Sequence, residues 1–114
     1  MATTLIAERN KAMVDSMVAC VEACTACSYQ CNTGSEAMAA CSRVCADCAA
    51  ICELTFTLLS RDSEWAARVA HVAAQICAEC AAECAKFEDE HCRACVEVCR
   101  SCAECCRELA ERAA

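Results

Sequence analysis

The chain has 114 residues, enough for one domain with a single modest core. A net charge of −7 supplies no basic stripe to neutralise phosphates, which argues against a nucleic-acid partner. No apolar run approaches the roughly 20 residues of a membrane span, and no proline, one glycine (Gly34) and few aromatic residues leave little with which to build strands or tight turns. The chain should be nearly all helix.

Residues 4 to 32 read as the first helix. Cys20, Cys24, Cys27 and Cys31 follow one another at steps of four, three and four, the steps that return a side chain to one helix face. The register extends back to Met17, Met13 and, past a polar interruption at Asn10, to Ile6. Thr3 or Thr4 is the expected cap. Thr33-Gly34-Ser35 breaks the helix: Gly34 suits a left-handed closing position and Ser35 suits the next N-cap. A second helix over 36–59 repeats the spacing with Cys41, Cys45, Cys48 and Cys52, continued by Met38, Thr55 and Leu59. Asp62, in the break at residues 60 to 63, is the expected cap for a third helix over 63–86. Its inner face reads Ala66, Ala70, Ala73, Cys77, Cys80, Cys84. After a break at 87–90, capped by Asp89, a fourth helix over 90–112 carries Cys92, Cys95, Cys99, Cys102 and Cys106, with Cys105 about 100° off that stripe.

Four such helices with short connections predict an all-α, antiparallel up-down-up-down four-helix bundle, one domain over 1–114. In an antiparallel hairpin, residues at one level are equidistant from the turn. The pairs Cys31/Cys41, Cys27/Cys45, Cys24/Cys48 and Cys20/Cys52 all centre on residue 36, inside the first break. Cys84/Cys92, Cys80/Cys95 and Cys77/Cys99 centre at or beside residue 88, in the third. The thiols should therefore line one end of the bundle as a tube that opens near Gly34, Met38, Phe87 and His91. Met13, Met17, Phe56, Leu59, Trp65, Val69 and Leu109 are expected to plug the other end.

A single buried Cys is usually packing, but an inner face made mostly of Cys sacrifices core volume and calls for metal. Disulfides fit poorly: the count of seventeen is odd, no secretory signal is visible, and neighbouring turns of one helix point their Cβ atoms the same way. Reduced thiols in the cytoplasm are the expectation. Seventeen thiolates sharing four Zn²⁺ would leave a buried charge of about −9. One Cu(I) per thiolate leaves none, soft sulfur favours Cu(I), and the upper capacity is on the order of 17 ions. A Cys-rich zinc- or redox-responsive module stays open as the alternative, whereas Cys92-x2-Cys95-x3-Cys99 lacks the wrapping loop and Pro of an iron–sulfur motif.

The paired C-x3-C-x2-C-x3-C helices, Cys77/Cys80/Cys84 and the Cys92–Cys106 series resemble the bacterial copper storage proteins, cytosolic branch, over about residues 13 to 106. The resemblance implies a four-helix bundle filled with many Cu(I) ions, assembly as a homotetramer, and His and Met ligands near the open end, matched here by Met38 and His91. The alanines below Cys77 imply fewer ions in the lower third. His71 lies roughly 150° from its stripe and reads as a surface residue. Met13 and Met17 read as core. Tyr29 falls outside the stripe, where it can serve a subunit contact. No nucleophile–base pair stands out, so the chain is not expected to be an enzyme.

Overall fold

A computed structural model describes residues 6 to 112. Four α-helices follow one another: α1 Glu8–Asn32, α2 Ala39–Ser60, α3 Trp65–Cys84 and α4 Glu90–Glu111, with a 3-10 turn at Glu36–Met38 ahead of α2. Each helix packs on its sequence neighbours and α4 closes back onto α1. The expected antiparallel bundle is present. The expected caps Thr3 and Thr4 lie outside the described residues, and α1 starts at Glu8, with Ile6 and Ala7 already outside the helix.

The apolar stripes of all four helices turn inward, and what they bury is mostly sulfur. Leucine enters the fully buried set only at the base, with Leu59 and Leu109 beside Met17. Phe56, Met13 and Val69 are half-buried at the same end. Trp65 does not join the plug. It is 55 % exposed, because Ala66, Ala70 and Ala73 hold the inner face of α3 and Trp65 lies one residue, about 100°, before that stripe. The Arg68 guanidinium covers its ring at 4.9 Å from the centroid.

The turns differ from expectation in an instructive way. Gly34 has no positive φ; α1 ends at Thr33 in a right-handed conformation, with its N–H on the Tyr29 carbonyl. The position is close-packed instead: a Cβ at position 34 would meet the Met38 sulfur at 3.0 Å, so the methionine would have to give way. The left-handed residue is Asp62, at φ 53°. The Ser63 N–H bonds the Leu58 carbonyl and the Asp62 N–H bonds the Leu59 carbonyl, each at 2.9 Å, which closes α2 as a Schellman turn. Asp tolerates the left-handed region better than most residues. Asp62 is therefore the C-terminal turn of α2 and not the cap of α3. Ser63 takes part of that role, its hydroxyl accepting from the Trp65 N–H at 3.2 Å.

The left-handed turn aims the Asp62 carboxylate at α1. It accepts from Arg9 at 3.1 Å and from the Asn10 amide at 3.1 Å. Asn10 is fully buried; its amide nitrogen also reaches the Leu59 carbonyl, and its oxygen accepts from Arg112 at 2.7 Å. The residue that looks like an interruption of the apolar register thus ties α1, the α2–α3 turn and α4 together at the base. The bonds from Asn10 and Arg9 hold the Asp62 carboxyl below its ordinary range. A group whose folded pKa is depressed stabilises the fold above its unfolded pKa and loses that contribution as the pH falls. Asp62→Gly keeps the turn and removes the tie. Its melting temperature should fall below wild type near neutral pH, with the gap narrowing below about pH 4. A gap that is the same at both pH values contradicts the tie.

Candidate metal centre

Sixteen of the seventeen cysteines are buried, and all seventeen are free thiols. The 4-3-4 steps place them on the inner faces, and the antiparallel levels stack them into a column. From the open end downward, four-thiol groups with sulfurs all within 4.8 Å of one another are Cys27/Cys31/Cys41/Cys92, Cys27/Cys41/Cys45/Cys84, Cys24/Cys80/Cys95/Cys99, Cys20/Cys24/Cys48/Cys99 and Cys20/Cys52/Cys77/Cys102. Each of the four level pairs of the first hairpin falls within one group, as does Cys80 with Cys95. The upper two groups share Cys27 and Cys41 and the lower three are linked through Cys24, Cys99 and Cys20, so one sulfur can bridge two ions; between these sets Cys45 meets Cys80 at 3.5 Å.

The shortest rungs run between hairpins rather than within them. Cys41–Cys84, Cys45–Cys80 and Cys48–Cys77 join α2 to α3 at 3.3, 3.5 and 3.7 Å. Cys31–Cys92 and Cys24–Cys99 join α1 to α4 at 3.9 and 3.4 Å. The α2–α3 rungs centre beside residue 62, the middle turn, so the level rule applied to that turn would have found them. The next rung down would pair Cys52 with position 73, which is Ala. Cys52 instead reaches Cys77 at 3.4 Å, Cys20 at 3.7 Å and Cys102 at 3.8 Å. Below it the wall is Ala70, Ala66 and Thr55, all buried, and the Thr55 hydroxyl is spent on the Ile51 carbonyl at 2.7 Å.

At the open end His91 is half-buried, and its Nδ1 lies 3.5 Å from both the Cys27 and the Cys92 sulfur. Met38 is 8 % exposed at the same end, its sulfur over Gly34. One feature of this region is invisible to periodicity. The Ser28 hydroxyl donates to the Ser42 carbonyl and the Ser42 hydroxyl to the Ser28 carbonyl, both at 2.9 Å. This reciprocal pair fixes α1 against α2 beside the mouth thiols.

Thiols at these separations share protons, and burial penalises the thiolate. Cys27 sits at about 6, held down by Cys45 and Cys84, with His91 adding to the effect. Cys52 also sits at about 6, through Cys102, and Cys106 at about 4, through Cys102 and Cys77. Cys20 is pushed down by Cys102, and Cys80 and Cys95 by Cys24. Their partners move the other way: Cys24 and Cys48 are pushed up by Cys20, and Cys45 by Cys27. Burial pushes Cys92 up to about 12. Acceptor sulfurs thus recur from mouth to base, and the metal-free column keeps most of its protons.

Four residues lie apart. Cys105 is half-buried, with its thiol 3.8 Å from the Met13 carbonyl and burial pushing it up to about 12. It faces α1 rather than the column, as its 100° offset implies. Met13 is half-buried and its sulfur accepts from Arg112 at 3.7 Å. Met17 is wholly buried at the base, and His71 is exposed.

The sequence signature of the copper storage protein family matches residues 6–111. Among solved structures, the chain is similar to BsCsp3 of Bacillus subtilis in its Cu(I)-bound form, at 33 % identity over 89 % of this chain and 97 % of that one, with a TM-score of 0.84. It is likewise similar to a cytosolic copper storage protein from Streptomyces lividans carrying five coppers, at 36 % identity over 87 % and 89 % of the two chains, TM-score 0.80. Ccsp from Streptomyces lividans loaded with 10 copper equivalents matches at 34 % identity over 97 % of this chain and 92 % of that one, TM-score 0.82. No curated protein sequence matches. The chain belongs to the copper storage protein family.

Reactivity of a thiol follows its thiolate fraction and its access. In the metal-free folded protein, iodoacetamide at neutral pH should modify Cys27, at the mouth and at about 6, ahead of Cys105, which is more exposed but at about 12. Peptide mass spectrometry after brief labelling reads the order. Cys105 reacting first would mean that access alone governs the column.

Proposed function

We propose that this member of the copper storage protein family sequesters many Cu(I) ions as thiolate-bridged ions inside a pre-formed bundle. It yields them to competing thiol ligands. The observation that carries this reading is the column of four-thiol groups, each sharing sulfurs with a neighbour and the upper and lower sets meeting at Cys45–Cys80, 3.5 Å apart. A bridging thiolate shared by two monovalent ions keeps the interior near neutrality, which divalent ions at the same density would not. The relatives' names support the same ion, one being described as Cu(I)-bound and another as loaded with 10 copper equivalents.

In this reading the buried cysteines are the ligands, Met38 and His91 handle copper at the open end, and Cys105 drops out of the set. Fewer ions bind below Cys52, where alanines replace thiols. The whole chain 1–114 acts as one domain and binds rather than turns over its substrate. We place it in the cytoplasm, as the Streptomyces lividans relative is named cytosolic, and as a homotetramer on the family resemblance.

Anaerobic titration of reduced protein with Cu(I) against a chromophoric chelator tests this. Tight uptake should run well above about ten equivalents, against an upper bound on the order of 17. Saturation at about four or fewer, as tetrahedral zinc-type sites would give, sinks the storage reading. Metal must also displace the protons of the raised thiols, so uptake should release acid and the apparent affinity should fall as the pH is lowered from about 8 to about 6. Affinity that rises on acidification would contradict thiolate ligation.

A further inference from the structure

We infer that the mouth of the column is a tetrahedral Cys3His site for one Zn²⁺, built from Cys27, Cys31, Cys92 and His91. This site closes the metal-free bundle and is vacated when copper enters. The zinc site goes beyond the storage of Cu(I) and stands without it; only its vacating by copper rests on that reading.

Four of the six edges of the site carry it. A Zn²⁺ held at about 2.3 Å by sulfur and about 2.05 Å by nitrogen in a regular tetrahedron needs S···S edges of about 3.8 Å and S···N edges of about 3.5 Å. The Cys27–Cys31 edge is 3.8 Å and the Cys31–Cys92 edge 3.9 Å. The His91 Nδ1 lies 3.5 Å from Cys27 and 3.5 Å from Cys92. The three sulfurs also lie within 4.8 Å of one another. Nδ1 must then carry the lone pair, which leaves the Nε2 proton free to face outward from a half-buried ring.

Charge restricts the dication to this level. Three thiolates and a neutral imidazole leave a zinc site with a single negative charge, beside a partly solvated residue. Each deeper group offers only fully buried thiolates, and a zinc there would carry two negative charges into the interior. Cys41 also belongs to the mouth group, and choosing it over His91 would restore that second charge. The deeper levels are thus suited to monovalent soft ions, while the mouth alone suits a dication. Copper(I) arriving at the mouth takes the same thiolates and expels zinc as the free ion, with no change in oxidation state.

Reduced, metal-free, full-length protein titrated anaerobically with Zn²⁺ against a chromophoric zinc indicator should bind one equivalent tightly. Co²⁺ in its place should give the visible bands of a tetrahedral site with three sulfurs and one nitrogen. His91→Ala should weaken Zn²⁺ at least tenfold and shift the Co²⁺ spectrum toward all-sulfur ligation, with helicity by circular dichroism unchanged. His71→Ala, on the exposed face of α3, should leave both readings as in wild type. Adding Cu(I) should release the bound zinc to the indicator. Several equivalents of tight zinc, none, or a Co²⁺ spectrum insensitive to His91→Ala would overturn the site. No tight zinc in wild type with high Cu(I) capacity rejects the zinc site alone, whereas one tight, His91-dependent zinc with little Cu(I) uptake rejects the storage reading, and with it the vacating of the site, but leaves the site itself standing.

Discussion

Sulfur replaces hydrocarbon along most of this core, and the rest of the structure accommodates that fact. A Cys side chain fills less of a helix interface than Leu does and offers only weak hydrogen bonds. The helices close to Sγ separations of 3.3 to 4.0 Å, so the column is packed, but with little of the apolar area that normally holds a bundle together. Ordinary stabilising devices are displaced to places where they do not compete with thiols. Leu59, Leu109 and Met17 fill the base, the buried Asn10 network ties three chain segments there, and the Ser28/Ser42 pair fastens α1 to α2 near the mouth. The two ends are held so that the middle can be chemical.

The thiol ladder, the antiparallel order and the level of the first hairpin were legible because they depend only on helical period and distance from a turn. Residues whose roles depend on backbone conformation were not. Gly34 does not take the left-handed position expected of it, and Asp62, expected as a cap, does; nothing in the sequence says that Met38 would lean over one and that the other would turn left-handed. Asn10 read as a fault in an apolar register, because a period records burial but not the partners that make a buried amide acceptable. Trp65 read as core because large aromatics usually are. The alanine stripe that excludes it was already visible at Ala66, Ala70 and Ala73. The α2–α3 rungs follow from distance to the middle turn beside residue 62, whereas the α1–α4 rungs join helices that share no turn.

The column is graded along its length. At the His91 end an imidazole nitrogen joins the sulfurs and the ring is half-buried, which lowers the electrostatic demand that an ion would meet there. In the middle every neighbour is sulfur, and neutrality has to come from the ion itself. At the base one wall gives out. The rungs Cys41–Cys84, Cys45–Cys80 and Cys48–Cys77 proceed in step, and the next position on α3 is Ala73. Cys52 answers by contacting Cys77, Cys20 and Cys102. Alanine there does not leave Cys52 isolated, since one thiol from each of the other three helices lies within 3.8 Å of it.

The polar tie below that wall sets the limit of the column. An ion near Asn10 would meet a guanidinium from Arg112 and the Met13 sulfur that Arg112 already engages. Positive charge at the base opposes a further cation, and the thioether there is occupied. Thr55, the last polar side chain on α2 before the plug, has its hydroxyl committed to its own helix. Three neighbouring residues that resemble ligands by type are thus each satisfied by protein. The column therefore ends through a change in the chemistry of its walls before the bundle itself closes. At the opposite end His91 and Met38 are the non-thiol groups set beside the sulfurs.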